Sequence, residues 1–116
     1  MNWIQLTEEK QLQEIEQVSH QQPVVIFKHS TRCSISATAL GRLERNWNEG
    51  EMQAVKAYYL DLISFRTLST RIAHTFDVEH QSPQLLVIQK GECVYNASHW
   101  DIAYADIKKQ LESSHI

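Results

Sequence analysis

The order of helical and strand patterns along the chain constrains its fold more than any other feature. Four short apolar runs have the length and the β-branched or aromatic content of buried strands. Helical spacing separates the first three runs, whereas only Lys90 and Gly91 separate the last two. The predicted strands are residues 24–29 (VVIFKH), 54–62 (AVKAYYLDL), 84–89 (QLLVIQ) and 92–97 (ECVYNA).

Apolar residues at spacings of three and four predict helices over residues 8–20, from about 34 to 50, over 65–76 and after residue 98. Thr7 is expected to cap the first of these helices, and Gly50 is expected to stop the second. Ser98 and Asp101 form a capping-box pattern at the start of the last helix. The expected inward face of that helix consists of Trp100, Ala103, Ile107 and Leu111.

This order, α-β-α-β-α-β-β-α, restricts the strand directions. A strand-helix-strand unit crosses over right-handed and lays its two strands parallel. The two-residue link at Lys90-Gly91 requires the last two strands to be antiparallel. We therefore predict an α/β thioredoxin fold for a single domain over residues 1–116. Its central four-stranded mixed sheet would be flanked by helices, with an extra helix at the N-terminus.

Charge and hydropathy exclude several functional classes. The chain has 11 basic and 14 acidic residues, a formal charge of −3, and no basic block of the kind that binds nucleic acid. It has no apolar run near the roughly 18–20 residues that a membrane span needs. The start of the chain, MNWIQLTEEKQ, turns acidic too early for a secretory signal. We expect a cytoplasmic protein without nucleic-acid or membrane partners.

Cys33 is expected to lie where the first strand ends and the second helix begins. The free N–H groups and the positive dipole end of a helix favour an anion, and in such a place a thiol ionises to its nucleophilic thiolate. Arg32 adds a positive charge, and the hydroxyls of Thr31, Ser34 and Ser36 are expected hydrogen-bond donors. The alternative is that STRCS is a polar loop whose short side chains only cap the helix.

Pro83 begins the third predicted strand and is preceded by Ser82. In the predicted fold the first and third strands are antiparallel neighbours, so Pro83 should come opposite Cys33. We expect a cis peptide bond between Ser82 and Pro83, because such folds carry one before a proline at the start of this strand, and the isomer costs little only before proline. Its exposed backbone groups could pair with a substrate chain, whereas an ordinary turn proline is the alternative.

Three segments carry a resemblance to a known family, namely HSTRCSIS, SPQLLVIQKG and SHWDI. Over essentially its whole length the chain resembles the YtxJ family, the monothiol bacilliredoxins. The resemblance implies a thioredoxin-like protein of redox homeostasis that removes bacillithiol from protein mixed disulfides. The usual family pattern is T-C-P-I-S, whereas residues 32–36 read R-C-S-I-S. Ser34 replaces the proline, and the threonine is shifted to Thr31.

Ser36 stands where a C-x-x-C protein has its second, resolving cysteine. Without that thiol, another molecule must resolve a mixed disulfide on Cys33. Cys93, near the start of the fourth strand, should lie more than about 10 Å from Cys33 at about 3.3 Å per residue. We therefore interpret Cys93 as structural, and predict Cys33, Ser36 and Pro83 as the catalytic set.

The segment NASHW should return to the same edge of the sheet. Ser98 and His99 would then head the last helix, whose N–H groups could bind a carboxylate of bacillithiol. The alternative is that Ser98 is only a cap and Trp100 only core. His29, His74 and His80 fit no metal-ligand spacing.

The leading hypothesis is a monothiol thiol-disulfide oxidoreductase that acts on S-thiolated proteins. It would have no tightly bound cofactor and would use bacillithiol or a similar small thiol as co-substrate. A second hypothesis is an iron–sulfur carrier like monothiol glutaredoxins, which would need a dimer and small-thiol ligands. A third is a redox-inactive adaptor that keeps the fold for partner binding. An anaerobic brown chromophore would favour the second.

Overall fold

A mixed β-sheet with helices on both faces organises the computed structural model, which describes residues 1–113. Within these residues the strands are β1 (Ile4–Gln5), β2 (Val24–His29), β3 (Lys56–Asp61), β4 (Gln84–Gln89) and β5 (Glu92–Ser98). The helices are α1 (Lys10–Val18), α2 (Ser34–Asn46), α3 (Arg66–Thr75) and α4 (Tyr104–Ser113). A 3₁₀ turn, His99–Asp101, follows β5. No helix within residues 1–113 has the length and hydrophobicity needed to cross a bilayer.

The strand order is β1-β3-β2-β4-β5. β1 and β2 are both parallel to β3, whereas β4 is antiparallel to β2 and to β5. The predicted thioredoxin fold is confirmed. The end of β2, the start of β4 and the end of β5 lie together at one edge of the sheet. Cys33 and Pro83 were expected at this edge.

The central position of β2 explains its composition, because every one of its residues is buried. Val24 and Ile26 pack with α1 and α3 on one face, and Val25 and Phe27 pack with α2 and α4 on the other. A strand covered on both faces needs a continuous apolar run, and this requirement makes Lys28, within the same strand, exceptional.

The N-terminal region differs from the prediction in two respects. The sheet has a fifth strand, β1, whose two residues are too few to show a periodic pattern. Thr7 does not cap α1, which begins only at Lys10. Instead the Gln11 side-chain carbonyl accepts hydrogen bonds from the N–H groups of Thr7 and Glu8 at 2.8 and 2.9 Å. A long side chain from the first turn therefore replaces the expected cap.

Two predicted helix ends were also wrong. Helix α2 ends at Asn46, where Trp47 adopts an extended conformation, so Gly50 is not its stop. The last helix begins at Tyr104 rather than after Ser98, because β5 continues to Ser98 and the 3₁₀ turn intervenes. Ile107 and Leu111 are buried as predicted, but Trp100 is 60% exposed.

The β4–β5 turn requires a left-handed backbone conformation at Gly91, whose φ is 77°. We predict that Gly91→Ala lowers the free energy of unfolding by about 1–2 kcal/mol, the cost of a left-handed conformation for a residue with a Cβ. Gly41→Ala, inside α2, is the matched control and should raise it by about 0.5–1 kcal/mol. Its new Cβ would meet only the flexible end of Arg45. Urea unfolding of both variants measures these changes in the free energy of unfolding. Equal changes in the two variants would contradict the requirement for glycine at position 91.

Candidate active site

Cys33 is the residue immediately before α2 and has an extended backbone conformation. Its N–H donates to the Ser30 carbonyl at 3.1 Å, which closes the turn after β2, and its own carbonyl accepts from the Ala37 N–H. The next N–H groups in the first turn of α2 have no acceptor within the helix. The half-buried thiol therefore lies at the positive end of a 13-residue helix.

Ser36 is fully buried, and its hydroxyl makes hydrogen bonds with two neighbouring groups. Its Oγ lies 2.7 Å from Nδ1 of the buried His29 and accepts the Ser30 N–H at 3.0 Å. Both contacts are satisfied when the hydroxyl donates to a neutral imidazole that carries its proton on Nε2. Burial lowers the pKa of His29, which favours that neutral form, although the Asp61 and Glu44 carboxylates oppose the shift. The hydroxyl thus joins the end of β2 to the first turn of α2.

We predict that Ser36→Ala lowers the free energy of unfolding by about 1–3 kcal/mol, because it leaves the Ser30 N–H and the buried His29 nitrogen without their partner. Ser34→Ala provides the control, since Ser34 lies exposed on the same helical turn and should change stability by less than about 0.5 kcal/mol. Chemical denaturation at pH 7 checks both values. A similar loss in the two variants would show that the buried network has no special role.

The peptide bond between Ser82 and Pro83 is cis, as predicted. Pro83 is buried, and its carbonyl accepts the His99 N–H at 3.0 Å, which holds the residue after β5 against the start of β4. The Ser82 hydroxyl oxygen is also buried, but it has no hydrogen-bond partner among the described residues.

A cavity of about 490 Å³ opens between Cys33, Ser82 and helix α3. Its lining includes Ser30, Leu62, Ile63, Arg66, Ser69 and His80. Cys33 and Ser82 therefore line one pocket, which has apolar side chains from the loop after β3 and polar side chains from α3 and the segment before β4. A small molecule bound here would lie beside the sulfur.

The other predicted binding residues lie outside this pocket. Thr31, Arg32 and Ser34 are exposed around Cys33 and do not line the cavity. The anion site expected at Ser98 and His99 is not formed, because Ser98 ends β5 opposite Gln84 and caps no helix with its side chain. His99 has a φ of 55° and begins the 3₁₀ turn. The prediction failed because β5 extends through the residues that were expected to cap the last helix.

Lys28 and His80 form a polar pair that the motif-based prediction missed. Lys28 is fully buried on the α1 and α3 side of β2, and its Nζ lies 3.2 Å from Nδ1 of His80. The Ser69 hydroxyl lies 3.3 Å from the same nitrogen. Burial lowers the pKa of Lys28 to about 8, and partial burial together with the Lys28 ammonium lowers the pKa of His80. A lysine inside an apolar strand was the available sequence signal.

Replacing this buried ammonium should increase stability. We predict that Lys28→Met raises the free energy of unfolding at pH 7 by up to about 1–4 kcal/mol, as other replacements of buried ionic groups by apolar residues have done. The unfolded lysine keeps its proton up to about pH 10.5, whereas the folded one releases it near 8. The wild-type protein therefore gains stability relative to the variant as the pH rises from 8 towards 10.5. Paired unfolding curves at pH 7 and 9.5 test the sign, and a gap that widens with pH would contradict it.

Cys93 has the surroundings of a structural residue. It pairs with Ile88 at the end of β5 far from Cys33, packs against the core on the α1 and α3 side, and its Sγ donates to the Tyr95 carbonyl at 3.3 Å. Burial raises the pKa of this thiol. Residues 1–113 contain no cluster of His, Cys, Asp and Glu that could hold a metal ion.

Comparison with known proteins gives one family. The sequence model of the monothiol bacilliredoxins, described as "Monothiol bacilliredoxin BrxC", matches residues 4–107. The match includes Cys33, Ser36, the Ser82–Pro83 bond and every residue named here as lining the pocket.

Solved structures agree with the fold. A candidate oxidoreductase with a thioredoxin fold is 31% identical, has a TM-score of 0.78, and aligns over 92% of this chain and 91% of its own. Thioredoxin from Trypanosoma brucei brucei is 15% identical with a TM-score of 0.71, over 98% of this chain and 91% of its own. Spinach chloroplast thioredoxin f is 12% identical with a TM-score of 0.73, over 99% and 88%. The two thioredoxins support the fold alone.

Proposed function

Because the chain belongs to the family of monothiol bacilliredoxins, we propose that it is a thiol-disulfide oxidoreductase that removes small thiols from S-thiolated proteins. One observation supports this most directly. The thiol of Cys33 begins α2 beside an open pocket, whereas the residue three positions later, Ser36, uses its hydroxyl to hold the site together. The site therefore offers one nucleophilic sulfur and no resolving thiol within its motif.

The proposed reaction has two exchange steps. The Cys33 thiolate attacks the sulfur of the small thiol, the protein–small-thiol disulfide breaks, and the target protein leaves as a thiolate that takes a proton from solvent. A second small-thiol anion then attacks the same sulfur on the Cys33 adduct. This step releases a symmetrical small-thiol disulfide and restores the Cys33 thiolate. In the net reaction the mixed disulfide and one added small thiol become a protein thiol and a symmetrical small-thiol disulfide, so the target sulfur is reduced at the expense of the added thiol.

Each element of the site has a separate part in this scheme. The N-terminus of α2 stabilises the attacking and departing thiolate of Cys33. The exposed Arg32 adds positive charge on the solvent side. We propose bacillithiol as the small thiol, as in the family, and S-thiolated proteins as partners. The second step needs a reduced thiol pool, which fits a cytoplasmic location.

The proposal predicts a specific covalent intermediate. Reduced protein is mixed with a single-cysteine carrier protein that bears bacillithiol, and intact masses are followed over time. Cys33 should gain the mass of bacillithiol while the carrier thiol becomes free. Cys33→Ser should abolish the transfer, and Cys93→Ser, the matched control, should leave it unchanged.

A parallel reaction with glutathionylated carrier compares the two small thiols. Faster transfer from the bacillithiolated carrier supports the proposed co-substrate. Transfer that persists in Cys33→Ser would contradict the assignment of the nucleophile.

A further inference from the structure

The pocket beside Cys33 has one cationic side chain, Arg66, and no carboxylate among its lining residues. Arg66, the first residue of α3, lines it and is exposed to solvent. No carboxylate within the described residues forms an ion pair with Arg66, whereas Arg71 on the same helix pairs with Glu9 at 2.7 Å. A protein with a net charge of −3 thus has a locally positive cavity next to its nucleophile.

Lys28 adds a second cation behind the wall of the pocket. Its ammonium is fully buried and forms no ion pair with a carboxylate of residues 1–113; its partner is the imidazole of His80, which lines the pocket. Burial of a charge without an opposite charge is unfavourable, so a retained ammonium in the central strand calls for a function. His80 accepts from Lys28 through Nδ1, which leaves its other ring nitrogen as a donor.

Ser82 provides an independent sign that this pocket takes a polar ligand. Its hydroxyl oxygen is buried, and no protein group in residues 1–113 satisfies it. Buried polar atoms are nearly always hydrogen-bonded, so an unsatisfied hydroxyl in a pocket wall marks a position for a ligand atom. Ser82 lines the same cavity as Cys33, Arg66 and His80.

We propose that this pocket binds the small-thiol half of a mixed disulfide and recognises an anionic group on it, a carboxylate, through Arg66 and the Lys28–His80 pair. The inference rests on the proposed exchange reaction and adds the charge of its substrate. A guanidinium at the rim can bind a carboxylate through two parallel hydrogen bonds. The buried ammonium polarises the imidazole donor from behind, and the Ser82 hydroxyl binds a further polar atom.

The pocket also decides which of the two disulfide sulfurs is attacked. A mixed disulfide can react with Cys33 at the small-thiol sulfur, which frees the target protein, or at the protein sulfur, which frees the small thiol. A bound small-thiol half places its own sulfur next to Cys33. The first direction is then favoured, and the electrons of the broken bond leave with the protein sulfur.

A charge series of small thiols tests the inference. One single-cysteine carrier protein is prepared as its mixed disulfide with mercaptosuccinate, 2-mercaptoethanol or cysteamine, which are anionic, neutral and cationic. The rate of transfer to Cys33 is divided by the rate with dithiothreitol, which corrects for the intrinsic reactivity of each disulfide. The wild-type protein should prefer the anionic derivative over the neutral one by about tenfold, with the cationic one slowest.

Two substitutions locate this preference. Arg66→Gln should reduce the anionic-to-neutral ratio roughly three- to tenfold, and Lys28→Met should reduce it as well. Arg71→Gln is the matched control, since it removes the same charge from the same helix outside the pocket, and it should leave the ratio within about twofold of wild type. Arg66 is exposed, and Lys28→Met is expected to be more stable than the wild type, so both variants should fold.

The outcomes separate this inference from the proposed function. If adducts form on Cys33 but the three derivatives react at equal normalised rates, the exchange reaction stands and the anion subsite is refuted. An equal loss in Arg66→Gln and Arg71→Gln would also refute it, because the effect would then come from overall charge. If no derivative transfers its small thiol to Cys33, the proposed function itself fails, and the subsite fails with it.

Discussion

The hydroxyl of Ser36 joins the central strand to the helix that begins beside the reactive thiol, and the geometry of the site depends on this contact. Its oxygen lies between the His29 ring and the Ser30 N–H, both at the end of β2. The same hydroxyl therefore joins the two ends of the turn that contains Cys33. A second cysteine at position 36 would have to replace this contact, so the residue that joins the strand to the helix also leaves the motif without a second thiol.

A buried cation is the other unusual constraint. Lys28 occupies a fully buried strand whose first four residues are apolar, and burial holds the pKa of its ammonium at about 8. The same strand carries His29 on its opposite face, where burial also lowers the pKa. These two neighbouring residues of β2 thus make different contacts on opposite faces of the sheet. His29 contacts Ser36 in the first turn of α2, and Lys28 contacts His80, which lines the pocket.

The sequence predicts the fold well where the constraints are local. The strand-helix-strand order and the two-residue link at Lys90-Gly91 determine the strand directions, and they place Cys33 and Pro83 at one edge. The cis bond before Pro83 was expected because such folds carry one at the start of this strand, and it is present. β1 was not predicted because a two-residue strand is too short to show an alternating pattern. The predicted helix cap at Ser98 was wrong because Ser98 pairs with Gln84 as part of β5, and this pairing competes with the local capping pattern.

The pocket could not be predicted in the same way. Arg66, Ser69 and His80 come from a helix and from the segment before β4, and no motif spacing connects them with Cys33. Only Lys28 gave a signal in the sequence, as a charge inside a predicted strand directly after its apolar run. The site at Ser98 was predicted because capping is a local pattern, whereas the cavity results from packing between distant segments.

The central claim is that Cys33 works as the single exchanging thiol of the protein. Its most direct test is the fate of the isolated adduct between Cys33 and the small thiol, freed of all other thiols and followed by intact mass. The adduct should persist unchanged and disappear only when a small thiol is added. Spontaneous loss of the small thiol, with the two-hydrogen mass decrease of a Cys33–Cys93 disulfide, would contradict the account.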